Sequence, residues 1–354
     1  MNTEGTDRSA TGAVPFSRAV VAGGLGFLGS HLCARLVDSG VEVVCLDNLI
    51  TGRTENVARL MPSRRFHILE LDVAERRPIP GPVDLVLHFA SPASPLDYAK
   101  HPLETMRAGS AGTWNMLELA TEKQARFVLA STSEIYGEPL EHPQKESYWG
   151  NVNPVGPRSV YDESKRFSEA LTSTWGRHRG TRTAIVRLFN CFGPAMRTDD
   201  GRAVPTFVRQ ALDGAAITVS GDGSQTRTLC YVDDAVNAIL AVAASDRPGP
   251  FNVGGTQEIT ILELADRIRR LVGSASSVRF VDRPVDDPSR RRPDLHRIHD
   301  QLGWYPQIRL QDGLRRTVEW FLHAAEAEPC PPIGPAQAQT RPSTRSPGAA
   351  TASA

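Results

Sequence analysis

Several things are missing from this chain, and each absence narrows what it can be. It has no C-x-x-C pair: the five cysteines (Cys33, Cys45, Cys191, Cys230, Cys330) are odd in number and widely scattered. That spacing argues against a disulfide framework and a cysteine-built zinc site, and it suits a reducing cytoplasm. The histidines His31, His67, His88, His296 and His299 show no metal-ligand spacing either, so no metal site is expected. Neither sign of charge prevails, because 40 basic residues stand against 40 acidic ones. A neutral chain has no broad attraction for nucleic acid or an anionic membrane, and neither partner is expected. No apolar run approaches the roughly 20 residues that a membrane span needs. Residues 1–12 lack the apolar core of a signal peptide. With no internal repeats, 40% hydrophobic and 23% charged residues, the 354-residue chain reads as one large intracellular domain or two sharing a core.

What is present alternates between strand and helix. Arg18–Ala22 reads as a short buried strand that breaks at a glycine turn. A helical pattern follows from Phe27 to Ser39, and Val41–Asp47 is the next strand. The glycines satisfy Gly23-x-x-Gly26-x-x-Gly29 and Gly24-x-Gly26-x-x-Gly29 together. Glycine there permits a tight turn, close approach of the backbone to a pyrophosphate, and close packing of helix on strand. The following helix offers free N–H groups and the positive end of its dipole to that phosphate. Asp47, at the end of the second strand, suits a ribose diol and repels a 2′-phosphate, which favours NAD over NADP.

Further strands are expected at 66–71, 85–90, 126–131 and 183–188, with helices near 108–123 and 161–177. Such alternation predicts an α/β fold, a Rossmann-type doubly wound parallel sheet with right-handed crossovers. Ligands of these sheets lie beyond the carboxyl ends of the strands. Those ends carry Gly23–Gly29, Asp47-Asn48, Asp72-Val73, Ala90-Ser91, Ser131–Glu134 and Asn190. A smaller mixed α/β substrate-binding domain is expected to complete the molecule. The expected division gives NAD binding to 17–188 with about 228–254, and substrate binding to 189–227 and 255–327. Residues 1–16 and 328–354, polar and small, are expected to be disordered.

The stretch from Ala130 to Lys165 carries the groups a proton-and-hydride reaction needs. Tyr161 and Lys165 are four residues apart on an expected helix and share a face. A free tyrosine titrates near pKa ~10, too high for a base at neutral pH. A neighbouring ammonium favours the phenolate, so Lys165 is expected to bring the Tyr161 pKa down.

The glycine turn, Asp47, a hydroxyl residue on the fifth strand and Tyr161-x-x-x-Lys165 together resemble the extended short-chain dehydrogenase/reductase family. Within it, residues 18–325 are similar to the UDP-glucuronate decarboxylases, or UDP-xylose synthases. That likeness rests on more specific stretches: Asp47-Asn48-x-x-Thr51-Gly52-Arg53, residues 90–95, 131–137, 148–157 and 221–227, Asp286-Asp287-Pro288 with Arg291-Arg292-Pro293-Asp294, and Leu302-Gly303-Trp304. The resemblance implies that NAD accepts the C4 hydride of UDP-glucuronic acid while Tyr161, sharing a hydrogen bond with Thr132, removes the hydroxyl proton. It gives Lys165 to the nicotinamide ribose, and Glu134 and Arg291 to loss of CO₂ from the 4-ketone. It further implies NAD contacts at Gly23, Gly26, Phe27, Leu28, Gly29, Asp47, Asn48, Thr51, Gly52, Asp72, Val73, Phe89, Ala90, Ser91 and Ala130. Substrate contacts are implied at Ser91, Arg107, Glu134, Tyr161, Asn190, Val204, Thr218, Arg227 and Arg291. A homodimer through helices 108–123 and 161–177 is implied as well.

Five positions depart from the decarboxylase pattern: Arg107 for lysine, Gly109 for asparagine, Trp175 for tyrosine, Ala195 for arginine and Ser220 for an aromatic residue. Two other readings therefore stand beside decarboxylation. One is a C4 epimerase of UDP-glucuronate or a related nucleotide sugar. The other is a dinucleotide-sensing protein without activity, against which the intact Thr132, Tyr161 and Lys165 argue.

Overall fold

The computed structural model describes residues 14–327. Most of the expected arm and all of the expected tail lie outside them, although Val14 and Phe16 pack against the core. Six strands of the central sheet come early in the chain: β1 (Arg18–Ala22), β2 (Glu42–Asp47), β3 (Phe66–Glu70), β4 (Leu85–His88), β5 (Arg126–Thr132) and β6 (Thr183–Leu188). After them come β7 (Cys191–Phe192), β8 (Ile217–Ser220), β9 (Thr226–Thr228) and β10 (Cys230–Tyr231), then β11 (Phe251–Val253), β12 (Glu258–Thr260), β13 (Val278–Val281) and β14 (Arg290–Arg291). The helices are α1 (Phe27–Asp38), α2 (Pro95–Lys100), α3 (Pro102–Arg107), α4 (Thr113–Glu122), α5 (Ser159–Arg179), α6 (Ala203–Leu212), α7 (Val232–Ala244), α8 (Ile261–Val272), α9 (His296–Leu302) and α10 (Leu310–Ala327).

Seven strands form one parallel sheet in the order β11-β6-β5-β4-β1-β2-β3. The order reverses between β1 and β4, and ligands of doubly wound sheets bind at that switch point. Successive strand residues point to opposite faces, so each buried strand feeds two cores. Ala19 and Val21 of β1 pack with Leu32 and Leu36 of α1 and with α7. Val20 and Ala22 pack instead with Met116, Leu117 and Ala120 of α4. The near-continuous apolar runs of these strands are what burial on both faces requires.

The expected helix from 108 to 123 is divided. A wide turn at Ala108–Gly112 joins α3 to α4, and there Gly109 lies against α5. A Cβ on Gly109 would sit 2.8 Å from the Ser164 Cβ. The Gly109 carbonyl accepts from the hydroxyls of Ser168 (2.6 Å) and Thr113 (2.9 Å). An asparagine at this position has no room. Beyond the sheet, β8 pairs with β13, and β9 lies between β12 and β14, with α6, α8 and α10 packed around them. The β9–β14 pairing sets Arg227 beside Arg291.

Candidate active site

The glycine turn is shaped by contact with its neighbours. Gly23, at φ +79°, would place a Cβ 2.7 Å from the Ala90 nitrogen, and a Cβ on Gly29 would collide with the Gly23 carbonyl oxygen. Gly26 caps α1 without a side chain, leaving the first-turn N–H groups of the helix for a ligand. Asp47 is tied into this turn. Its carboxylate accepts from the Leu25 N–H (3.0 Å) and the Leu49 N–H (2.9 Å), and Gly52 packs directly against it. Burial raises the Asp47 pKa, with these N–H donors opposing the shift.

Two adjoining cavities run along the carboxyl edge of the sheet. The first, about 540 Å³, is lined by Gly23, Asp47, Asn48, Thr51, Asp72 and Val73, together with Ala90 and Ser91. The second, about 780 Å³, is lined by Phe27, Leu28 and Gly29 at the start of α1, and by Ala130, Tyr161 and Lys165. Gly23, Gly26, Phe89 and Ser91 belong to both walls, so the two make one groove. Arg197 and Arg202, held by Asp97 (2.6 Å) and Asp200 (2.5 Å), line its second half. Neither arginine is among the expected contacts. Arg197 stands two residues after Ala195, which lacks the family's guanidinium. A dinucleotide fits this groove: open backbone at a helix start, a carboxylate at the second strand, and a tyrosine–lysine pair at the far end.

Tyr161 is buried and stacks on Tyr98 at 5.3 Å between ring centroids. The Lys165 Nζ donates to the Ala130 carbonyl (3.0 Å) and lies 5.8 Å from the Tyr161 ring centre. The expected lowering of the Tyr161 pKa does not occur. Burial pushes it up, and the Glu134 and Asp162 charges add to the rise; a hydrogen bond with Thr132 and the Arg202 charge oppose it without prevailing. Desolvation also brings Lys165 down to about 8, which weakens the ammonium that was to favour the phenolate.

Glu134 heads a separate buried cluster. Both its oxygens accept from the two terminal nitrogens of Arg291, and Oε2 also accepts from Arg158 Nη2 at 2.6 Å. Asp287 joins the cluster at 3.1 Å from Arg227 Nη2 and 3.8 Å from Arg158 Nη1. Arg283 also reaches Asp287 at 3.8 Å, so four guanidiniums (Arg158, Arg227, Arg283 and Arg291) meet Glu134 and Asp287, with the Asp162 carboxyl beside them. Burial alone would raise the Glu134 pKa, but Arg291 and Arg158 reverse it and hold the carboxyl below the usual range. Three buried polar atoms here have no partner: Arg158 Nε, Arg291 Nε and Asp162 Oδ1. Two orphaned donors beside an excess of positive charge leave a place for an anion. Arg158 and Asp162 are absent from the expected site; each lies within three residues of Tyr161, the one signal that could have found them.

Other expected contacts are more scattered. Arg227 is buried, and its pKa falls to about 10 through burial and the nearby Arg291 charge. Thr218 exchanges hydrogen bonds with Gln210 (2.8 and 2.9 Å), and Val204 is buried in the core beside Phe207. The carbonyl of Asn190 accepts from the Cys230 N–H (3.2 Å). Arg107 is exposed at the end of α3 and lines neither cavity. Trp175 donates to the Thr121 hydroxyl (2.9 Å) and meets Trp114 edge-on, about four turns along α5 from Tyr161.

A doubly wound sheet with a glycine turn, a second-strand carboxylate and a buried tyrosine–lysine pair defines a nicotinamide-dependent enzyme of the short-chain dehydrogenase/reductase type. The chain belongs to the NAD dependent epimerase/dehydratase family, whose model matches residues 19–254. It is 46% identical over 317 residues to UDP-glucuronic acid decarboxylase 1 of Arabidopsis thaliana, an alignment covering 88% of this chain and 72% of that one. It is 45% identical over 309 residues to UDP-glucuronic acid decarboxylase 1 of Danio rerio, covering 87% and 73%. Among solved structures, dTDP-glucose 4,6-dehydratase DesIV of Streptomyces venezuelae, solved with NAD bound, aligns with a TM-score of 0.79 at 29% identity, covering 88% of this chain and 98% of that one. UDP-glucuronic acid 4-epimerase of Bacillus cereus, in complex with UDP-glucuronic acid and NAD, gives 0.77 at 25%, covering 87% and 99%.

Proposed function

We propose that this protein is an NAD-dependent UDP-glucuronate decarboxylase, converting UDP-glucuronic acid to UDP-xylose and CO₂ through a 4-keto sugar. One observation carries the choice of reaction. Beside Tyr161 stands Glu134, gripped by Arg291 and Arg158, each with a buried Nε–H that has no partner. A C4 epimerase needs no such acid–guanidinium cluster, so epimerisation is the weaker reading. Residues 17–188 with about 228–254 are proposed to hold NAD, and 189–227 with 255–327 the nucleotide sugar. The pairing of β11 with β6 in the main sheet supports that division.

NAD, when bound, would supply a reversible hydride acceptor that takes the hydride from the sugar's C4 and returns it after CO₂ has left, as Tyr161 gives the proton back to O4. The residues of the groove are proposed to do the rest. Tyr161 takes the O4 proton with Thr132 beside it, and Lys165 holds the nicotinamide ribose. Once C4 is a ketone, the C5–C6 bond is β to it. Its electron pair moves into the carbonyl as CO₂ leaves, and C5 then accepts a proton. Glu134 enters ionised, so it orients the arginines or accepts a proton before it can donate one. Arg291, Arg158 and Arg227 supply the positive charge that holds the sugar carboxylate and the diphosphate.

Among the described residues no helix is long and apolar enough to cross a membrane. A cytoplasmic location is our reading, supported by four buried free cysteines. A homodimer is proposed through α3, α4 and α5, where Leu103, Met106, Trp114 and Phe167 stay between 46% and 71% exposed. Light scattering should give twice the chain mass, and Phe167→Glu should halve it.

Incubation with UDP-glucuronic acid, followed by NMR and CO₂ trapping, tests the reaction. UDP-xylose with CO₂ is expected. UDP-galacturonate without CO₂ would establish the epimerase instead, and retained NAD without turnover a sensor.

A further inference from the structure

Arg291 sits on a strand of two residues, and such a strand cannot fix an arginine by itself. The segment 289–294 lies along the loop that leaves Glu134, and two side chains of that loop grip its ends. At the surface, Glu138 accepts from the Ser289 N–H (2.8 Å) and from its hydroxyl. In the interior, Gln144 is 1% exposed and every polar group it has is used. Its backbone N–H donates to the Arg292 carbonyl and its carbonyl accepts from the Asp294 N–H, both at 2.8 Å, in a short parallel bridge with Pro293. Its side-chain Oε1 accepts from the Arg292 N–H (2.8 Å), and Nε2 donates to the Glu141 carbonyl (2.8 Å). Pro293 has no N–H to extend the ladder, so the Gln144 amide replaces a strand neighbour there. Asn252 of β11, fully buried, backs the joint by donating to the carbonyls of Gln144 (2.9 Å) and Asp294 (3.1 Å).

We propose that Gln144 is a positioning residue for the decarboxylation step: its side-chain amide fixes the peptide unit that follows Arg291 and thereby sets the Arg291 guanidinium on Glu134. The inference rests on the decarboxylase reading above. The exposed Glu138 contact competes with water and is worth little, whereas no water replaces the buried Gln144 bonds. Oxidation at C4 uses Thr132, Tyr161 and Lys165, which Gln144 does not touch. Loss of CO₂ uses Arg291. Loosening Gln144 therefore separates two steps that a general loss of structure would slow together.

The test follows enzyme-bound NADH by absorbance and CO₂ by trapping after mixing NAD-loaded protein with UDP-glucuronic acid. In Gln144→Met, NADH should form at close to the wild-type rate and accumulate, while CO₂ release slows about ten-fold, the scale set by a small misplacement of a reacting group. Should the Met variant not fold, Gln144→Asn, whose shortened amide cannot reach, carries the same expectation. NADH and CO₂ falling by the same factor, or neither changing, overturns the role of Gln144. A wild-type protein that releases no CO₂ overturns the decarboxylase reading beneath it, a result distinct from a wild type that releases CO₂ and a Met variant that matches it.

Discussion

Arg187 and Arg291 each close a two-pronged contact on a part-buried glutamate, Glu169 and Glu134 respectively, and the two arginines are 8% and 5% exposed. Around Arg187 nothing is left over. Nε and Nη2 donate to Glu169, Nη1 donates to the Tyr136 hydroxyl (2.9 Å) and the Glu146 carbonyl (3.0 Å), and Ser131 donates to Glu169. Around Arg291 the count does not close: its Nε–H and that of Arg158 are buried without partners, and Asp162 has an idle oxygen. A network with every member satisfied holds the fold, whereas one with orphaned donors stores a free-energy cost that a ligand can remove. The first pair ties α5 to β6 of the sheet. The second joins the segment after β5 to β14 and keeps its unpaired donors.

Two substitutions to methionine sharpen that contrast, since each removes a guanidinium and keeps a long side chain. Arg187→Met leaves Glu169 charged and part-buried, and should cost about 3–5 kcal/mol in urea unfolding. Arg291→Met leaves Glu134 still paired to Arg158, so its stability loss should be the smaller of the two, while CO₂ release falls by about a thousand-fold or more, as for a buried charged partner worth 4 kcal/mol or more. Equal unfolding losses would erase the distinction between the two pairs. Tyr161→Phe should lower both hydride transfer and CO₂ release by about 10²–10⁴-fold with unchanged unfolding. Glu134→Gln should act more narrowly, slowing CO₂ release about 10–100-fold while NADH still forms, a range expected for one misplaced group. Proportional loss of both signals in Glu134→Gln would remove its separate role.

The tyrosine side of the groove was legible because it is local. Gly23 to Gly29, Asp47 and Tyr161 to Lys165 are each short motifs with fixed spacing, and the strands between them announce themselves by continuous apolar runs. The Glu134 cluster is of another kind. Its members come from 134, 158, 162, 227, 283, 287 and 291, brought together by β9 and β14, strands of three and two residues. No period can be read in so few residues, which is why resemblance supplied Glu134 and Arg291 and nothing supplied Arg158 or Gln144. The same limit hid β11, the edge strand of the main sheet. The Tyr161 pKa failed for a different reason: spacing gives the neighbour of a group but not its desolvation.

Asp162 offers the smallest effect and the most direct view of the cluster's unfinished state. Burial, then the Glu134 charge, raise its pKa to about 7, against the pull of Arg158 and Arg291. Its folded value therefore lies above the unfolded one of ~3.9, and between these the native state binds the extra proton. The stabilisation is complete below pH ~4 and is lost as pH rises toward about 7, so this residue makes wild-type stability fall across that window. Asp162→Asn removes the titration and keeps the shape. Urea midpoints of the variant should decline less than those of the wild type between pH 4.5 and 7, with the difference closing below ~4 where both side chains are neutral. Parallel pH profiles would mean that Asp162 ionises like an exposed carboxylate. Burial and the Glu134 charge would then not hold its proton, and the idle Asp162 oxygen would drop out of the contrast with the network around Arg187.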